Sequence, residues 1–427
     1  MKVLITHSWS EDNSGDFAIE SAIVKLLYDI YDTKKINKIV FYSLFSQNDE
    51  RFLTHSEEKL KLKNSLVIGS LWGTPPINYS YIRKIIYIIN SFIYTAFISL
   101  SVLLQYRILK KVYFVNNKVK NFLDSDLIIV KGGTFIYSPK GISGFIFVGR
   151  IFFPIILSLI LKKKIIIAPH SFGPFNNKIL NSFIFKILKK VDLILCREYI
   201  SVKLLNSYGC SNTKYCPDMV FYLYEGSNIK NKLNNDKFKI AITARPLDSI
   251  STMYVYNNYI EQLKFFIDII LSEGIPNYSD VEIHLIPQVI GPDKREDDYI
   301  ALKNIYNDIH LKHKVILYPR IRRTPTELIK IYSEMNLIIG TRMHSIIFGF
   351  LSGVPSIAIS YYGPKHEGIM NNFNMNDYIF SIDNIDHKKM LEKVKIIAEN
   401  KNIGNDIIKK VKLNKMEIFN TFNNFIS

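Results

Sequence analysis

Short apolar runs rich in β-branched residues alternate along this chain with longer segments whose apolar positions recur every three to four residues. That alternation predicts a parallel sheet covered by helices. In the first half the runs are "KVLIT" (2–6), "KIVFYS" (38–43), "SLVIG" (65–69), "DLIIVKGG" (126–133), "KIIIAP" (164–169) and "DLILC" (192–196). A polar stretch, "EGSNIKNKLNNDKF" (225–238), reads as a linker. The pattern then restarts with "KIAITARP" (239–246), "VEIHLIP" (281–287), "KVILYP" (314–319), "NLIIG" (336–340) and "PSIAIS" (355–360). The expectation is an α/β protein of two doubly wound, Rossmann-like domains facing a cleft, residues 1–225 and 239–390, with a basic amphipathic helix over 391–427. Ligands of such folds bind beyond the C-terminal ends of the strands, so the residues after each run are where chemistry is sought.

Residues 85–106, "IIYIINSFIYTAFISLSVLLQY", interrupt the rhythm. They carry no charge, with Arg83 and Lys84 before them and Arg107, Lys110 and Lys111 after. Length and basic flanks meet the criteria for a membrane span. Asn90, Thr95 and several serines argue against one, as does the position between two segments of cytosolic α/β character. A helix in or against the bilayer interface, a buried helix and a true span all stay open, and the first is the expectation for an apolar insertion over about 75–120. A second run, "IFFPIILSLILKKK" from 151, is read as too short to span: either a core helix or a segment whose lysines rest on anionic headgroups.

Of the 427 residues 48% are apolar and 22% charged, which excludes a disordered chain. The formal net charge of +17 suits phosphorylated substrates or an anionic membrane surface. Nucleic acid is not expected, because the lysines are scattered and no arginine-rich tract occurs. Cys196, Cys210 and Cys216 form no CxxC pair and fit reduced core thiols, and "MKVLITHS" reads as a first strand rather than a secretory signal. His, Asp and Cys show no metal-ligand spacing, so neither a metal nor a cofactor is expected.

The unusual residues collect at strand ends. After the first strand, Asn13, Gly15 and Asp16 sit in the turn that opens a helix, where free N–H groups bind anions; alternatively Asp16 is only an N-cap. Gly132 and Gly133 end another strand, and His170 follows "KIIIAP". Arg197 follows "DLILC" with Asp218 beyond it; its planar fork suits a carboxylate or phosphate, unless it is a structural partner of an acid such as Glu198. The strongest constellation is "GTRMHSIIFGFLSGVPSIAISYYGPKHEGIM" (340–370), which puts Arg342, Met343 and His344 at one strand's end and Lys365 and Glu367 at its neighbour's. Cations beside a carboxylate over one sheet edge predict an anion-binding and proton-transfer site.

Taken in order, "NSGD", "KGG", "HSFGPF", "CRE", "PD" and "GTRMHS" through "EGIM" resemble the polysaccharide pyruvyltransferases, in the group that includes the colanic-acid enzyme. The resemblance runs from about residue 3 to residue 376 and misses about 70–125. It implies a GT-B-like fold and transfer of the enolpyruvyl unit of phosphoenolpyruvate to two hydroxyls of a sugar, as a cyclic ketal, with release of phosphate. By position it implies that Arg342, Met343 and Arg197 bind the donor, that His344 is the general acid/base and that Lys365 is a further cation of the site. Met343 stands where Leu is more usual. Glu367 and His170 are weaker candidates for protonating the enol carbon. The implied partners are phosphoenolpyruvate, a polysaccharide or lipid-linked oligosaccharide acceptor, and the inner face of the cytoplasmic membrane. The first domain is expected to take the acceptor and the second the donor. The competing readings are a GT-B glycosyltransferase using a nucleotide sugar and a non-catalytic scaffold.

Overall fold

The computed structural model describes residues 1–31, 35–55, 64–113, 115–226, 236–246, 252–361, 365–400 and 402–426. Most of the expected linker, 227–235, lies outside the described residues. The chain forms two compact units: Met1–Glu11 with Ile23–Met219 and Asn423–Ser427, and Asp12–Ala22 with Val220–Phe422.

The N-terminal unit is built on an eight-stranded sheet. Its strands are β1 (Lys2–Ser8), β2 (Lys38–Ser43), β3 (Ser65–Ile68), β4 (Leu127–Val130), β5 (Gly133–Ser138), β6 (Lys164–Phe175), β7 (Leu193–Cys196) and β8 (Thr213–Tyr215). They run in the order β3-β2-β1-β4-β6-β7-β8, with β5 beside β6, and the recorded pairings are parallel. "LIIV" and "LILC" are buried at every position, as strands covered on both faces must be. The C-terminal unit repeats the plan with six parallel strands: β9 (Lys237–Thr243), β10 (Asp280–Leu285), β11 (Val315–Leu317), β12 (Leu337–Gly340), β13 (Ser356–Ser360) and β14 (Ile379–Ser381), in the order β11-β10-β9-β12-β13-β14. In each sheet the strand order reverses beside the unit's first strand, between β1 and β4 and between β9 and β12.

Several expectations change. "HSFGPF" does not follow its strand but forms the second half of β6, and "DLIIVKGG" divides between β4 and the start of β5. The short strands β8 and β14 lack an apolar run long enough to be read. The run from 151 belongs to a helix that starts at Ile142 and continues to Ile160; it buries Val148, Ile151, Phe152, Ile155 and Leu157 in the core. The C-terminal segment is two helices, His387–Glu399 and Ile403–Ile426. The turn after β1 belongs with the C-terminal unit instead of the N-terminal domain.

The 85–106 run lies inside one helix, Tyr81–Leu109, capped by the Ser80 side chain. Only Thr95 and Val102 of it are buried.

Phe152 is fully buried in the N-terminal core. Phe152→Ala should lower unfolding stability by about 3–5 kcal/mol, read as a shift of the denaturant midpoint.

Candidate functional site

The C-terminal sheet places its chemistry at the point where strand order reverses. Arg245 stands two residues after β9, and Arg342 two residues after β12. Thr341 between them is buried, sharing a hydrogen bond with the Tyr259 hydroxyl at 2.7 Å. Arg342 is the N-cap residue of the helix Met343–Leu351, whose side chains are buried on nearly every side. Gly349 lets that helix sit down on the sheet, since a Cβ there would lie 2.4 Å from Ile338 Cδ1.

A buried guanidinium needs a counter-charge. Asp298, fully buried at the start of the helix Asp298–Asp308, provides it: Oδ1 accepts from Arg342 Nε at 2.9 Å and from Nη2 at 2.6 Å. Nη2 also donates to the Glu296 carbonyl at 2.8 Å. Burial opposes the charge of Arg342, but Asp298, Tyr361 and Glu296 outweigh it and raise its pKa. Burial raises the carboxyl pKa of both Asp298 and Glu296, with Arg342 pulling the other way.

Tyr361 follows β13 and accepts hydrogen bonds from Arg245 Nη1 and Lys365 Nζ, each at 2.6 Å. Burial alone would raise its pKa, yet Lys365, Arg245 and Arg342 bring it down to about 7. Lys365 opens the helix Lys365–Asn372, whose next residue, His366, is buried and bonded through Nε2 to the Thr341 carbonyl at 3.2 Å. Glu367 points away, exposed in the first turn of that helix. Residues 362–364, the middle of the expected turn, lie outside the described residues.

The "NSGD" turn joins this site by pairing. Ile290 N–H donates to the Asp12 carbonyl at 2.9 Å, Ser14 N–H to the Gln288 carbonyl at 3.3 Å, and Asn13 bridges Val289 in antiparallel fashion. Asp12 Oδ1 accepts from Arg322 Nε and Nη2 at 2.9 and 2.6 Å. The cap of the following helix, Ser14–Ile30, is Asn13, whose Oδ1 accepts from the N–H groups of Gly15 and Asp16 at 3.1 and 3.3 Å; Asp16 stands in the first turn and is not the cap. Gly15 abuts His344, since a Cβ on it would lie 2.1 Å from Nδ1. Glycine is therefore required there by close approach. Half-buried His344 thus shares one edge with Arg245, Arg342, Lys365 and Tyr361.

The N-terminal unit holds the remaining candidates. Arg197 Nη1 donates to Asp218 Oδ2 at 2.7 Å and Nε to Ser171 Oγ at 2.6 Å, while the nearest Glu198 oxygen is 3.8 Å away. Its main partner is thus Asp218 rather than Glu198, and both members are buried. His170 is fully buried within β6, and Nε2 accepts the Ile136 N–H at 3.1 Å. Burial first, then Arg197, His7 and Lys131, hold its pKa well below the ordinary value. It is a neutral imidazole tying β5 to β6. Gly132 is buried, and Gly133 begins β5 opposite His170.

Five site residues escaped the sequence reading. Arg245 is next to last in "KIAITARP" and Tyr361 follows "PSIAIS", positions that strand-end logic would have singled out. His7, the penultimate residue of β1, and Lys131, directly after β4, are their counterparts. His7 adopts φ 64 and bonds the Ile151 carbonyl through Nε2 at 2.8 Å; burial lowers its pKa to about 4. Asp298 had no signal, because only the fold brings it to Arg342. Among the described residues no three His, Cys, Asp or Glu side chains converge as metal ligands would.

The sequence profile described as polysaccharide pyruvyl transferase matches residues 13–363 of this chain. The amylovoran biosynthesis protein AmsJ of Erwinia amylovora is 23% identical over 312 residues, 66% of this chain and 67% of that protein. Among solved structures, Anabaena HepE, in complex with UDP and glucose, superposes with a TM-score of 0.55 at 14% identity, covering 100% of this chain and 98% of its own. The UDP-GlcNAc 2-epimerase of Neisseria meningitidis, bound to UDP-GlcNAc, gives 0.55 at 11% identity, covering 99% and 98%. At such identities the structural likeness shows a GT-B-like fold and nothing about ligands.

Asp298→Ala leaves Arg342 buried without its carboxylate and should cost about 3–5 kcal/mol of unfolding free energy. The apolar double variant Arg342→Met/Asp298→Leu should recover most of that loss in the same denaturation measurement.

Proposed function

Because this chain belongs to the polysaccharide pyruvyl transferase family, we propose that it moves the enolpyruvyl unit of phosphoenolpyruvate onto two hydroxyls of a surface-polysaccharide sugar or its lipid-linked precursor, as a pyruvate ketal. The family makes it a transferase of polysaccharide biosynthesis; donor, bond and acceptor are our reading. What carries that reading is the switch-point edge of the C-terminal unit, where three cations, Arg245, Arg342 and Lys365, gather beside His344. A donor with a carboxylate and a phosphate calls for about that much positive charge. Carbon protonation and hydroxyl attack call for a group that exchanges protons near neutral pH, as histidine does. The positive charge that develops is stabilised by oxygen, so the step needs no redox cofactor.

His344 is the general acid/base in this reading. Arg245, Arg342 and Lys365 hold the donor, and Arg197 is the second arginine that the resemblance assigns to it. Asp218 and Ser171 already engage two of the five N–H donors of Arg197, so it offers a partly neutralised charge. The C-terminal unit is the donor side and the N-terminal unit the acceptor side. Nucleotide-sugar transfer has only the fold in its favour.

We also propose that the enzyme is peripheral on the inner face of the cytoplasmic membrane, held by the helix Tyr81–Leu109. The polarity of that helix is inverted for one on a water-facing surface. Its serines and threonine at 91, 95 and 99 lie in a seam toward the protein, with Thr95 and Ser99 hydroxyls bonded to carbonyls one turn back at 2.7 and 2.8 Å. Ile86, Ile89, Phe92, Ile93, Phe97, Leu100 and Leu104 are exposed. The seam recurs at helical spacing from 88 to 105, so the helix lies along its unit instead of projecting from it to cross a bilayer. Exposed Arg83, Arg107, Lys110 and Lys111 at its ends suit anionic headgroups.

Calorimetry should register phosphoenolpyruvate and no response to UDP- or GDP-sugars. Lys365→Met should weaken donor binding by roughly 10- to 150-fold, the worth of a charge-assisted hydrogen bond; binding of a nucleotide sugar instead would replace this reading with glycosyl transfer. His344→Gln should lower turnover on the order of 10²–10⁴-fold in a phosphate-release assay with cell-envelope acceptor. The double variant Ile93→Glu/Phe97→Glu should weaken sedimentation with anionic vesicles at least about tenfold without altering the fold, because both side chains are exposed; undiminished sedimentation would remove the helix from the membrane.

A further inference from the structure

Tyr361 is set between two cations that both donate to its hydroxyl oxygen. Guanidinium and ammonium groups only donate, so its oxygen is the acceptor of both 2.6 Å contacts, from Arg245 Nη1 and Lys365 Nζ. Both are at the short limit for N–H···O bonds, where charge assistance puts them. The same two cations stack on its ring, at 4.5 Å and 4.2 Å from the centroid. Among the described residues, the other ionisable groups around it are Arg342 after β12, and His366, whose ring centroid lies 5.5 Å from that of the tyrosine in an edge-on arrangement. Of the nearby acids, Asp298 pairs with Arg342, and the fields of Asp298 and Glu296 reach Arg245 as well as Arg342.

We propose that Tyr361 is the resident counter-anion of the donor site: a phenolate before the donor binds, converted to the phenol when the donor's phosphate or carboxylate takes over Arg245 and Lys365. The lowering of its pKa to about 7 by Lys365, Arg245 and Arg342, against the effect of burial, agrees. The sign is fixed. Engaging those cations elsewhere returns the phenol toward its ordinary value near 10, so binding takes up a proton between about pH 7 and 10 and none well below 7.

This deepens the pyruvyl-transfer reading and rests on it for its catalytic consequence. Of the two protons shed by the sugar hydroxyls, one is matched by the proton delivered to the methylene carbon through His344 and the other returns to solvent. The proton that Tyr361 took from solvent goes to the departing phosphate: the C–O bond breaks, its electron pair stays on the phosphate oxygen, and that oxygen receives the phenolic proton. Phosphate then leaves as hydrogenphosphate, and the phenolate re-pairs with Arg245 and Lys365.

The test is calorimetry at pH 8 in two buffers of different protonation enthalpy, with phosphoenolpyruvate and then inorganic phosphate as the probe. The same samples are followed by ultraviolet absorbance of tyrosinate. The wild-type protein should show one tyrosinate titrating near pH 7, clear of its other tyrosines, and lose that band on binding with uptake approaching one proton. Tyr361→Phe should bind within about tenfold but take up none. If phosphate elicits the uptake and phosphoenolpyruvate does not bind, the donor reading fails while the role of Tyr361 stands. Equal uptake in Tyr361→Phe, binding without uptake in the wild type, or no binding of either anion would overturn the proposal.

Discussion

A guanidinium at the end of a fully buried strand is tolerable only beside a carboxylate, and the bond between Arg342 and Asp298 meets that condition for the C-terminal unit. Asp298 opens one helix and Arg342 caps another. The pair therefore joins the element after β10 to the element after β12. It also settles how much positive charge the site has to offer, since Arg342 is already partly neutralised. The excess passes to Arg245 and Lys365, and Tyr361 between them is drawn toward its anionic form.

The same geometry explains why His344 is next to these groups. Helix N-termini and strand ends converge where the order of a doubly wound sheet reverses, and the backbone there leaves room for a ligand. The turn after β1 comes to that edge by pairing with residues 288–290, and Gly15 makes the approach possible. A methyl group at residue 15 would occupy the space of the imidazole. In the N-terminal unit the equivalent strand ends carry His7 and Lys131, with Arg197 held to Asp218 one strand beyond β6. The imidazoles of His7 and His170 are buried there, and burial holds both in the neutral form.

The helix Tyr81–Leu109 departs from the economy of the rest of the fold. Elsewhere the long apolar helices bury one face against a sheet, as Ile142–Ile160 does. Here the apolar side chains point outward, and the small hydroxyl residues, satisfied by their own backbone, face the protein. Contiguous exposed apolar patches of that kind are uncommon on a water-facing surface.

Much was legible in the sequence because it depends on local pattern. Buried parallel strands must be apolar throughout, so ten of the fourteen stand out as short β-branched runs; β5, β8 and β14 do not, and β6 shows only its first half. The order of those runs implied two doubly wound units, and residues after a strand had to lie at the ligand edge, which singled out Arg342, His344, Arg197 and Lys365. Side-chain pairing between separate elements left no such mark. Asp298 looks like any helix-opening acid, Tyr361 like any aromatic after a strand, and the turn after β1 like part of the first domain. Only the tertiary structure decided that these three meet the sites of Arg342, Lys365 and His344. Charge compensation and close packing act through space, and neither leaves a period in the chain.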